Sequence, residues 1–65
     1  MITKAYQLQA ICLNANNQLE VKFGVIAWTN YKEAESMKDY FKTSLLKTPS
    51  IVEVMEINII TLEVR

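Results

Sequence analysis

The stretch that most constrains this 65-residue chain is its last one, Ile51 to Val64, reading IVEVMEINIITLEV. Nine of its fourteen residues are aliphatic or Met, and it contains neither Gly nor Pro. β-Branched Ile and Val dominate it, and such side chains pack well on a pleated surface while losing χ1 freedom in a helix. A strand of that length runs roughly 45 Å at about 3.3 Å per residue, long for a domain of this size. It is therefore expected to bend, or to pair with something beyond its own chain.

A single domain spanning residues 1–65 buries only about 60% of the surface its unfolded chain exposes. Chains this short usually add a disulfide, a metal or a partner subunit. Cys12 is the only cysteine and there is no histidine, so an intrachain disulfide is impossible and a structural zinc lacks its ligands. No cofactor is expected. Association is the remaining means of support, and a homodimer is the expected form.

Seven basic residues balance seven acidic ones, for a formal net charge of zero. That balance lacks the basic footprint of sequence-independent nucleic-acid binding. No apolar run reaches the roughly 18 residues of a membrane-spanning helix, and no signal segment opens the chain. With its lone thiol, the chain is expected in a reducing cytoplasm, without membrane attachment.

Thr3 to Leu13 reads as a strand with Tyr6, Leu8, Ala10 and Cys12 on one face. Gln7 and Gln9 begin the other face, which turns apolar at Ile11 and Leu13. The Asn-rich segment Asn14 to Asn17 predicts a hairpin loop of four or five residues. Leu19 to Trp28 is the second strand. Leu19, Val21, Phe23, Val25 and Ala27 are assigned to its inner face, and Glu20, Lys22, Ile26 and Trp28 to its outer one. Gly24, the only glycine, marks a bulge or a close backbone approach.

Asn30 is placed to cap a helix, with Glu33 three residues on. Ala34, Met37, Phe41 and Leu45 recur at helical spacing beside Tyr31, and Pro49 ends the helix near Leu46 or Lys47. In the final strand the polar residues change phase twice, at Glu56 and again at Thr61. Bulges near Val54–Met55 and Ile59–Ile60 explain this, as does partial cover on both faces. The fold class is α+β: ββαβ, a three-stranded antiparallel-rich sheet with one helix on one face, expected to dimerise. Ile11, Leu13, Ile26, Trp28, Ile60 and Leu62 are the candidate interface residues on the other face. A two-fold pairing of sheets, face to face or edge to edge, would cover that face.

Catalytic groups are scarce. Cys12 has no histidine to deprotonate it and reads as a small buried hydrophobe. Glu33, Glu35 and Asp39 interleave with Lys32, Lys38 and Lys42 along the helix, a mutually neutralised solvated surface rather than an acid site. Glu53 and Glu56 read as edge-strand charges that discourage aggregation, with a dimer rim as the alternative. Tyr6, Phe23 and Trp28 lie on strands, as base-stacking residues do, but no basic RNP-type stretch accompanies them.

The order TKAYQLQAICL, LEVKFGVIAW, NYKEAESMKDYFKTSLL, IVEVMEINIITLEV, in a chain of this length, resembles the Yopt family of short Bacillus and prophage proteins. That resemblance implies a homodimer of three-stranded, one-helix monomers and a prophage origin. It assigns no functional residue. The reading is a small non-enzymatic homodimer that acts by binding, with a host protein as a further partner. The alternative is a nucleic-acid-binding regulator that uses Lys4, Lys22 and Lys38.

Overall fold

The computed structural model describes residues 3–64. Three strands and a bent helix follow one another as β1 (Thr3–Asn14), β2 (Leu19–Trp28), α1 (Tyr31–Ser36), α2 (Lys38–Leu46) and β3 (Ile51–Val64). The sheet has the order β2-β1-β3 and both pairings are antiparallel. The expected α+β architecture is present.

β1 is central because β3 returns along its whole length, from Lys4 opposite Glu63 to Asn14 opposite Ile51. The long final strand thus finds its partner inside the chain. It neither folds back on itself nor needs another molecule to satisfy its inner edge. The result is a slab of 44 × 19 × 15 Å with a radius of gyration of 12.8 Å. A globular chain of this length has about 10.7 Å.

Two bulges lie on β3, where Met55 and Val52 are each skipped in the register with β1. The first is the one expected at Val54–Met55. The expected bulge at Ile59–Ile60 is absent, and the ladder there is continuous. Thr61 and Glu63 lie on the helix side but are exposed, since they sit opposite Tyr6 and Lys4 at one end of the slab. Sixteen residues of helix span about 24 Å, roughly half the sheet's length, so the helix side is wet where the helix stops.

The helix starts where Asn30 Oδ1 accepts the Lys32 N–H at 2.8 Å and the Glu33 N–H at 3.4 Å. At Met37 (φ −93°, ψ 0°) the chain leaves helical geometry, and the two segments join at that bend. Ala34 is fully enclosed, and Met37, Phe41 and Leu45 are half-buried, as the apolar stripe predicts. Lys32, Glu35, Ser36, Asp39 and Thr43 face solvent. Leu8, Ala10 and Cys12 on β1 form the floor beneath the helix, with Ile51, Val54 and Ile57 of β3 alongside. The Tyr6 and Tyr31 rings meet edge to face at 5.5 Å.

Candidate functional site

The hairpin loop decides which side chains face away from the helix. Four residues, Ala15 to Gln18, separate β1 from β2, as the Asn-rich segment led one to expect. The Asn14 N–H donates to the Gln18 carbonyl at 2.9 Å and the Asn17 N–H to the Asn14 carbonyl at 3.0 Å. Asn17 takes the left-handed conformation that closes the loop (φ 61°). The Asn14 side chain is buried and organises the turn. Its Oδ1 accepts the Asn16 and Gln18 N–H groups, both at 2.9 Å, and its Nδ2 donates to Glu20 Oε1 at 2.9 Å. The Ala15 N–H reaches the Ser50 carbonyl at 2.9 Å and ties the loop to the entrance of β3.

With that loop, Leu13 lies opposite Leu19, Ile11 opposite Val21 and Gln9 opposite Phe23. Directly opposed residues share a face. The apolar row Leu19, Val21 and Phe23 therefore projects away from the helix, not toward it as expected. Phe23 is 54% exposed. Of the six candidate interface residues, Ile11, Leu13, Ile60 and Leu62 do lie on this open face, with Ile60 opposite Gln7 and Leu62 opposite Ala5.

Ile26 and Trp28 do not lie there. Between Gln7–Ala27 and Gln9–Phe23, β1 has one residue and β2 has three, so Gly24, Val25 and Ile26 bulge from the ladder. Gln7 Nε2 holds the bulge by donating to the Gly24 carbonyl at 2.8 Å. Trp28 sits opposite Tyr6 on the helix side. Trp28 and Ile26 line a cleft of about 230 Å³ with Met37, Tyr40 and Phe41, whose floor is Leu8 and Gly24. The sign of a bulge was visible in Gly24. Its two extra residues were not.

The open face has an apolar end (Leu13, Leu19, Ile11, Val21, Phe23), a polar waist (Gln7, Gln9, Asn58) and a second apolar end (Ile60, Leu62). Asn58 Nδ2 reaches Gln9 Oε1 at 3.5 Å across that waist. Glu53 and Glu56, opposite Leu13 and Ile11, place two carboxylates along the β3 edge beside the apolar end. No described element covers this face.

The remaining chemistry is quiet. Cys12 is wholly enclosed, and burial pushes its thiol above its ordinary value, against the nucleophilic thiolate. The Asn14 amide, then Lys22, hold the Glu20 carboxyl below the usual carboxylate range. Lys22 Nζ lies 3.2 Å from Glu20 Oε2, and Lys4 lies opposite Glu63, so two of the three lysines considered for nucleic acid have acidic neighbours. Among the described residues, no group of three or more Cys, Asp or Glu side chains is placed to hold a metal ion, and no helix is long and apolar enough to cross a membrane. Comparison with protein-family models, with curated proteins and with solved structures gives no match to this chain.

Proposed function

We propose that this chain is a small non-enzymatic homodimeric protein that acts by binding. The observation that carries the reading is the open apolar face. Leu19, Val21, Phe23 and Leu62 are exposed there, whereas only Leu8, Ala10, Cys12, Ala34 and Ile51 form the buried apolar core. The accessible surface of 4810 Å² exceeds the about 4,250 Å² expected of a compact folded monomer of this mass. Exposed apolar residues clustered on one face are a liability that association reduces.

The enclosed thiol, the absence of histidine and the lysine-interleaved carboxylates support a role other than catalysis. The resemblance in length and element order to the Yopt family supports a homodimer of prophage origin, working in the cytoplasm on a host macromolecule. Nucleic acid is the weaker partner class, because the net charge is zero and Lys4 and Lys22 have acidic neighbours. Sedimentation equilibrium at micromolar concentration tests the assembly. Twice the 7.5 kDa chain mass is expected, and a clean 7.5 kDa species would overturn it.

A further inference from the structure

We infer that two copies of this chain join through the Leu19–Phe23 segment of β2, antiparallel about a two-fold axis at Val21, to form one continuous six-stranded sheet. This rests on the homodimer reading above and specifies its contact surface.

The hairpin fixes which peptide groups are free. The Asn14–Gln18 pair is hydrogen-bonded, and bonded and non-bonded pairs alternate along an antiparallel ladder. Gln18, Glu20 and Lys22 therefore direct their N–H and C=O groups at β1. Leu19, Val21 and Phe23 direct theirs outward, from an edge strand. A second copy placed antiparallel about Val21 meets this row with its own. Val21 pairs with Val21, and Leu19 with Phe23 in both directions. Three bonded pairs supply six hydrogen bonds.

Charge selects this register. The segment reads Leu-Glu-Val-Lys-Phe, so a dyad at Val21 brings Glu20 of each copy opposite Lys22 of the other. Both side chains lie on the helix side of β2, opposite Cys12 and Ala10, where Glu20 and Lys22 already form an exposed ion pair. On the open face, Leu19 of one copy packs against Phe23 of the other. The bulge at Gly24–Ile26 stops the pairing at one end and the hairpin turn at the other.

The opposite edge lacks these features. The first half of β3 carries two bulges and Glu53 and Glu56, devices that blunt an edge. Its regular half, Ile57–Leu62, has no charge to set a register. Helix α2 packs chiefly against β3 and α1 against β1 and β2, all on one face of the sheet, so the β2 edge itself stays open to extension. Two short segments make a contact at the small end of the interface range.

The test is sedimentation equilibrium of the full chain and its variants. Val21→Pro removes an N–H that makes no bond to β1, and proline is tolerated on an edge with its nitrogen facing solvent. It should weaken association by roughly thirtyfold or more, the loss of two net hydrogen bonds. Glu20→Lys and Lys22→Glu, made singly, set like charges across the dyad and should each weaken it by roughly tenfold. Combined, they should restore the wild-type constant, which also keeps the test decisive where the proline variant does not fold. Ile60→Asp, on the open face but on β3 at the far side of the sheet from β2, should leave association unchanged.

A wild-type dimer that Ile60→Asp dissociates, and that the charge swaps leave untouched, overturns the edge assignment and keeps the homodimer. A wild-type monomer overturns both.

Discussion

The two faces of this sheet are nearly matched in composition and opposite in fate. On the helix side of β1, Leu8, Ala10 and Cys12 are almost completely enclosed. On the other side Ile11 and Leu13 are only half-buried, and their β2 neighbours Leu19, Val21 and Phe23 are exposed. Hydrophobicity does not distinguish the two sets. The helix does, and it has residues for one face and about half of its length. The described residues supply no second layer for the other face. What looks like an excess of apolar residues is the same pattern written twice, once under the helix and once on a face that no described element covers.

The sharpest test of that difference truncates one residue from each face. Leu8→Ala should cost about 2–5 kcal/mol in urea unfolding, because it opens a void in a well-packed floor. Phe23→Ala, measured at protein concentrations below association, should change stability by no more than about 0.5 kcal/mol, as exposed substitutions do. Comparable losses at the two sites would show that the open face is packed within a single chain.

Asn14→Ala ranks next. It removes an acceptor for two backbone N–H groups and a donor to Glu20, from a buried position, and should cost about 1–3 kcal/mol. The same substitution should loosen the register that sends Phe23 to the open face, visible as changed cross-strand proton contacts between Ile11 and Val21. Asn30→Ala, which removes the helix cap, should cost about 1 kcal/mol without altering that register. Together the pair separates what holds the covering helix from what holds the uncovered face.

The smallest expected effect concerns pH. The folded protein holds Glu20 below the usual carboxylate range, chiefly through the Asn14 amide and then Lys22. A depressed folded-state pKa contributes stability that is present above the unfolded value and is lost as pH falls through the folded one. Glu20→Gln should therefore lower the melting temperature slightly at neutral pH and flatten its fall as pH drops through and below the ordinary carboxylate range. The carboxylate remains open to solvent, so the effect is small and should shrink with added salt.

Much of the architecture was legible from the residues. β2 and β3 run over the segments expected of them, β1 extends one residue further, and the helix begins after Asn30 and ends at Leu46. Period-two alternation, an Asn cap, a 3.6-residue apolar stripe and Pro49 are local signals, and local signals set element type. Ile11, Leu13, Ile60 and Leu62 also lie on the open face, Ile11 and Leu13 because the other face of β1 carries the cleaner apolar row. Met37 was expected in the stripe, but the bend there was not, since nothing in its residue type interrupts a helix.

The sequence by itself determined three strands, one helix and an apolar surplus on two faces. Only the tertiary structure decided which apolar row of β2 joins which face. Both of its faces carry large apolar residues, so patterning alone does not choose between them. The choice falls to the loop held by Asn14. A register one residue different would send Leu19, Val21 and Phe23 under the helix and turn Glu20 and Lys22 to the open side. The bulge of Gly24–Ile26 adds two residues, so it leaves that assignment unchanged and only shifts Trp28 along the helix side to lie opposite Tyr6. The period of a strand is two, so a loop's length, counted in single residues, is what allots its side chains to core or to surface.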